Sequence, residues 1–135
     1  MPSMSDPRSS PAAKAVSQGA TADETGGSGL RVAVTTLPER EQALAIARAV
    51  VDAGLAACAQ VDPGPITAIY RWEGRVCEDA EWRLVLKTRT ELEPALRALV
   101  RRMHPYAVPQ WLHGPVVGSD DYAAWVSAST ATARA

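Results

Sequence analysis

A chain of 135 residues, with 14 Lys and Arg against 15 Asp and Glu and a net charge of −1, is long enough for one domain with a real core. Its interspersed signs exclude a basic nucleic-acid footprint, and no apolar run reaches the roughly 18 residues of a membrane span. The first twenty residues lack the apolar block of a secretory signal, and two cysteines, Cys58 and Cys77, suggest neither a zinc cage nor a disulfide framework. A cytoplasmic chain without nucleic-acid or membrane partners is the expectation.

Residues 1–29 consist mainly of Ser, Ala, Gly, Pro and Thr. Such a segment cannot bury enough surface to offset its ordering entropy, so a disordered tail is predicted. Asp6, Asp23 and Glu24 argue against an organelle transit peptide, which is nearly free of acids. Order should begin at Leu30, where Leu30, Val32 and Val34 alternate with Arg31, Ala33 and Thr35 as a first strand. Thr36-Leu37-Pro38-Glu39 reads as a capping box with Pro38 in the first helical turn. Ala43, Ile46, Ala47, Val50 and Val51 form the apolar stripe of a helix over Glu39–Ala53, and Gly54 is placed to end it in a left-handed cap. Leu55–Val61 reads as a second strand, broken or bulged by Asp62-Pro63-Gly64-Pro65.

Ile66–Thr88 has the period-two alternation of one long hairpin. Ile66, Ala68, Tyr70 and Trp72 share one face, and Trp82, Leu84 and Leu86 point away from Glu81, Arg83 and Lys87. The hairpin turns either at Glu73-Gly74-Arg75 or at the acidic run Glu78–Glu81. Its arms exceed the usual ~5–6 residues of a strand, so pairing with another subunit is expected. Thr90–Glu93 then offers a second capping box, before a helix carrying Leu92, Leu96, Leu99, Val100 and Met103 on its apolar side. His104-Pro105 stops this helix, because a residue before proline is pushed out of the helical region. Val108–Val117 is predicted as a last strand, which Pro109 and Pro115 confine to an edge or irregular position, and Ser119 or Asp120 caps a short helix with Tyr122, Trp125 and Val126. Residues 30–128 are thus one domain, and 129–135 should fray.

The element order predicts an α+β fold of the ferredoxin-like (βαββαβ) kind, an antiparallel sheet with helices on one face plus a short C-terminal helix. Six separated motifs carry a family resemblance: T-L-P-E at Thr36–Glu39, G-L-A-A-C-A-Q-V at Gly54–Val61, I-Y-R-W-E-G at Ile69–Gly74, L-K-T-R-T-E-L at Leu86–Leu92, H-P-Y-A-V-P at His104–Pro109 and Y-A-A-W at Tyr122–Trp125. In this order they resemble the CutA family of divalent-cation tolerance proteins. The resemblance implies a homotrimer, with long hairpins adding strands to neighbouring sheets, and a link to copper and other divalent ions without an enzymatic reaction. It also implies an architecture similar to the trimeric PII signalling proteins, which bind nucleotides between subunits.

Among candidate residues, His104 lies at an element boundary, and a neutral imidazole suits Cu(II) or another divalent cation. The bland alternative is a histidine that caps the last helical carbonyls or bonds across a subunit seam. Copper-linked members of the family can carry Cys where this chain has Thr35 and a His-His pair where it has Met103-His104, which leaves His104 as a weak site at most. Met103 lies on the apolar stripe and is expected in the core. Tyr70, Trp72, Glu73, Lys87, Tyr106 and Trp125 are expected at the inter-subunit cleft, as a pocket for a small anionic or planar ligand or as trimer interface. The family often has Glu where this chain has Gln110. Cys58 is expected to be an inert buried thiol with nothing cationic near it in sequence, Cys77 to be incidental, and His113 to be solvated. Cys58 with His104 is the sole nucleophile–base pairing on offer, so no enzyme is expected. A PII-like small-molecule sensor is the rival reading, although no Walker motif is present.

Overall fold

The computed structural model describes residues 29–131; the tail expected over 1–29 lies, apart from Gly29, outside the described residues. Strand β1 (Leu30–Leu37) leads to helix α1 (Arg40–Asp52). Strands β2 (Cys58–Val61), β3 (Ile66–Trp72) and β4 (Arg75–Arg89) follow. A 3₁₀ turn (Thr90–Leu92), helix α2 (Glu93–Met103), β5 (Leu112–Pro115) and helix α3 (Asp120–Ala128) complete the order. The sheet runs β2-β4-β1-β5, and β3 pairs with β4 beyond that path. All four pairings are antiparallel.

The long hairpin is built from three strands. β2 and β3 pair in succession with the single strand β4, Val61 opposite Leu84 and Ile66 opposite Glu81. Residues 62–65 therefore oppose only residues 82–83, which is the bulge the Asp-Pro-Gly-Pro run predicts. Asp62 closes it: its N–H donates to the Arg83 carbonyl at 3.1 Å, and its Oδ2 accepts from the Arg83 guanidinium at 2.8 Å. Of the two expected turns, the chain takes Glu73-Gly74, both with positive φ (50° and 79°), as a two-residue hairpin loop requires.

Two apolar layers sandwich the sheet. Ala33 and Leu37 of β1, Leu84 and Leu86 of β4, Ile46 and Val50 of α1, and Leu96 and Val100 of α2 form one buried cluster. Residues of opposite parity, Leu30 and Val32, join Ala57, Val116 and Val126, against which Tyr122 and Trp125 of α3 pack. Each fully buried Leu contributes about 1.5–3 kcal/mol by leaving water, so these clusters decide which face each strand presents.

Several local expectations are corrected. The capping box lies three residues later than Thr36–Glu39: Glu39 is the N-cap and exchanges hydrogen bonds with Gln42. Thr36 and Leu37 are still in the ladder, opposite Arg83 and Trp82, so strand pairing outcompetes the earlier cap and Pro38 falls ahead of the first turn. No box forms at Thr90–Glu93 either; Thr90 Oγ1 donates to the Gly29 carbonyl at 3.1 Å. β2 starts only at Cys58, since the N–H groups of Leu55 and Ala56 fold back onto the Val50 carbonyl. β5 is likewise limited to four residues, Leu112–Pro115, and ends on the second proline. Met103 is 38% exposed at the end of α2, outside the core it was expected to join.

Gly54 ends α1 with φ 74°, as its position predicts. It also receives the chain's last described residue, whose N–H (Ala131) donates to the Gly54 carbonyl at 2.7 Å. Arg89 holds Thr130 Oγ1 at 2.8 Å and the Ala131 carbonyl, so residues 129–131, within the stretch expected to fray, are tied to the body. Residues 132–135 lie outside the described residues.

Candidate functional site

His104 follows α2 with extended backbone (φ −82°, ψ 133°), which Pro105 imposes. The residue is 9% exposed, and its ring is engaged at both nitrogens. Nδ1 accepts the Tyr106 N–H at 3.2 Å, while Nε2 lies 2.9 Å from the Thr36 carbonyl and 3.1 Å from Thr35 Oγ1. A carbonyl only accepts, so Nε2 carries the proton and donates to it. Burial lowers the imidazole below its ordinary value, an effect the Thr36 carbonyl and Glu81 oppose. His104 is therefore a neutral side chain tying the loop after α2 to β1.

Beside it, a cavity of about 620 Å³ opens between the hairpin and the 105–110 loop. Tyr70 and Trp72 of β3 and Tyr106 of the loop supply aromatic walls, Glu81 of β4 a carboxylate, and Thr36 and Gln110 neutral polar groups. Tyr106 donates to Glu81 Oε2 at 2.8 Å, and the Tyr70 hydroxyl bonds to Asp79. The Asp79 hydrogen bond pushes the Tyr70 phenol up to about 12, and burial together with Glu81 raises Tyr106 further. Asp79 and Glu81 alternate on one face of β4, so both carboxylates act on the two phenols.

Of the six residues expected to converge, Tyr70, Trp72 and Tyr106 meet in this cavity within one chain. Glu73 sits in the hairpin turn. Trp125 packs on the other face of the sheet, its ring 5.6 Å from Tyr122. Lys87 also lies away from the cavity, opposite both Val32 and Cys58 in the ladder, and is 5% exposed. Glu81 went unrecognised as a cavity residue: alternation assigned it to the polar face, but only the position of the 105–110 loop makes that face a wall.

Two further residues, Cys58 and His113, depart from expectation. Lys87 brings a cation beside Cys58 that sequence proximity could not reveal. Its amine donates to Gln60 Oε1, and burial lowers it below the ordinary lysine value. Burial, with the neighbouring Cys58 thiol, pushes the Tyr122 phenol up to about 12. Cys58 thus faces Lys87 and Tyr122, while His104 is bonded to Thr35, Thr36 and Tyr106. His113 is not simply solvated. Its Nδ1 accepts from the Arg31 guanidinium at 3.1 Å, and its Nε2 lies 3.4 Å from Glu93. Glu93, 4% exposed, also accepts from Arg97 at 2.7 and 2.9 Å and from Trp111 Nε1 at 2.8 Å. Burial works against its ionisation, but Arg97, Trp111 and His113 outweigh it and hold the carboxyl below its ordinary value. Cys77 is half-buried, its thiol 3.9 Å from the Arg75 carbonyl. Among the described residues, no group of three or more His, Cys, Asp or Glu side chains is arranged to hold a metal ion. No helix among them is long and apolar enough to cross a membrane.

An antiparallel α+β chain with a projecting hairpin and an aromatic cavity at its base is the class that fold and site define. The sequence model of the CutA1 divalent ion tolerance protein family matches residues 31–129. The chain is 42% identical over 100 residues to the divalent-cation tolerance protein CutA of Thermus thermophilus, a match covering 73% of this chain and 96% of that protein. It is 44% identical over 95 residues to human Protein CutA, covering 70% of this chain and 52% of the relative. It thus spans about half the length of the mouse and human relatives. Among solved structures, CutA1 of the psychrotrophic bacterium Shewanella sp. SIB1 superimposes with a TM-score of 0.74 at 32% identity, covering 79% of this chain and 100% of that one. The chain belongs to the CutA1 divalent ion tolerance protein family, as the six sequence motifs imply. The family description and the name of the Thermus relative are those of tolerance proteins, and neither they nor the human relative's name is that of an enzyme.

Proposed function

We propose that this chain acts as a cytoplasmic homotrimer of ferredoxin-like protomers in tolerance of, or response to, divalent metal ions, copper among them. Membership in the family supports the metal link. The observation that carries the assembly is the hairpin: among the described residues, β3 pairs only with β4, and residues 75–81 of β4 pair only with β3. The ribbon therefore has open edges on both sides, with Ile69 67% and Val76 66% exposed on it. An isolated ribbon of this kind is marginal in water and invites another chain to its edge. The order β2-β4-β1-β5, with α1 and α2 packed in one cluster, supports the ferredoxin-like description.

Metal binding by His104, on this reading, is weak and completed by groups at a subunit cleft. A cation at Nδ1 must displace the Tyr106 N–H, and one at Nε2 must displace a proton already given to Thr36. Two experiments test the proposal. Light scattering at micromolar concentration should return a trimer, and a monomer would remove the cleft. Calorimetric titration with Cu(II) should give weak binding that His104→Ala abolishes. Binding indifferent to that change would make the metal link indirect. The rival sensor reading gains no support for a nucleotide, since Lys, Arg and His are all missing from the residues lining the aromatic cavity.

A further inference from the structure

The aromatic cavity lacks the ammonium that Lys87 was expected to bring to it. Its walls are the rings of Tyr70, Trp72 and Tyr106, and its one charged lining residue is the carboxylate of Glu81. Tyr70 and Trp72 remain 41% and 44% exposed in the single chain, so the chain itself leaves part of each ring uncovered. Tyr106 occupies only Oε2 of Glu81; Oε1 makes no hydrogen bond among the described residues. Asp79 adds a second negative charge at the Tyr70 hydroxyl. Aromatic faces carry negative potential and attract a cation lying over them, while a free carboxylate oxygen in a partly enclosed site supplies direct charge neutralisation. An anion would meet Glu81 and Asp79 with no counter-charge from the lining. A divalent metal would find one carboxylate and the Gln110 amide, short of the several oxygen or nitrogen ligands that such ions require.

From this arrangement of three aromatic side chains around a half-free carboxylate, we propose that the cavity binds a small organic ammonium ion. Its ammonium head lies between Trp72 and Glu81 and its carbon body against Tyr70, Tyr106 and Val108. The volume, about 620 Å³, suits a molecule of metabolite size. The lining residues named come from one chain, and the site does not rest on metal binding; in the trimer proposed above, a neighbouring chain along the hairpin must leave the cavity mouth accessible. Tryptophan fluorescence and calorimetry with choline, beside its uncharged isostere 3,3-dimethylbutan-1-ol, test it on the full chain. Choline should bind at one site per chain, at least about tenfold more tightly than the isostere, as expected for loss of one cation–π contact and one charge pair. Trp72→Ala and Glu81→Gln should each weaken choline about tenfold or more. Trp72→Phe, which keeps an aromatic face, should restore most of the affinity. Circular dichroism and light scattering on the same variants separate loss of the site from loss of fold or assembly. Equal binding of choline and the isostere, tighter binding of adenosine monophosphate than of choline, or no binding of choline by the folded wild type would each overturn the proposal.

Discussion

β4 belongs to two different regions, and the contrast between its halves organises the molecule. From Trp82 to Arg89 it lies between β1 and β2, and Leu84 and Leu86 are fully buried beneath the helices. From Arg75 to Glu81 it pairs, among the described residues, with β3 alone and carries Cys77, Asp79 and Glu81 against the aromatic arm. The first half is held by apolar burial, the second by side-chain hydrogen bonds such as Tyr70–Asp79 and Tyr106–Glu81. One strand thus supplies both a stabilising centre and an exposed site, and the bulge at residues 62–65 falls at the boundary between them.

Substitutions in each half should separate the two roles. Leu84→Ala should have the largest effect, a loss of about 3 kcal/mol in urea unfolding, because the cavity it leaves is closed in by rigid neighbours. A cost near zero would mean that the body is not the stabilising half. Glu93→Gln should cost about 2 kcal/mol, since it leaves Arg97 and Trp111 with a weaker acceptor in a buried place; the exposure of Arg97 keeps the figure below that of a fully buried pair. The folded-state pKa of Glu93 is depressed, so its contribution is present above the unfolded carboxyl value and lost as pH falls through the lower folded value. Glu93→Gln should therefore flatten the acid limb of the stability curve.

His104 provides a smaller, pH-dependent test. Its folded-state value is also depressed, so as pH falls the unfolded chain takes up the proton first. Melting temperature should decline from about pH 7 to pH 5, and His104→Gln should reduce that slope. An unchanged slope would mean that the buried ring does not govern this range. Val76→Asp should have the least effect on the body itself: far-ultraviolet circular dichroism is retained, and any loss in melting temperature grows with dilution because it acts through assembly. A concentration-independent loss as large as that of Leu84→Ala would erase the distinction between the two halves.

Much of this was legible in the residues. The alternation along Leu30–Val34 and Trp82–Leu86, the helical stripes of α1 and α2, and the stops at Gly54 and His104-Pro105 are local signals, decided by side-chain period and by the backbone freedom of single residues. The six motifs likewise carried the family. The caps differ from the expected ones because Thr36 is held in the strand ladder and Thr90 opens a 3₁₀ turn bonded to Gly29, and only the assembled sheet decides such competition.

The sequence by itself determined where the chain is extended, where it is helical, where it breaks, and which residues are apolar enough to be buried. Tertiary structure alone decided that Lys87 is buried opposite Cys58, that Glu81 faces an aromatic cavity, that Glu93 gathers Arg97, Trp111 and His113, and that His104 spends both nitrogens within the fold. Most of these pairings join residues far apart in the chain. Strand register and the placement of the loop after α2 choose them, and a slip of one residue in register would send every such side chain to the other face.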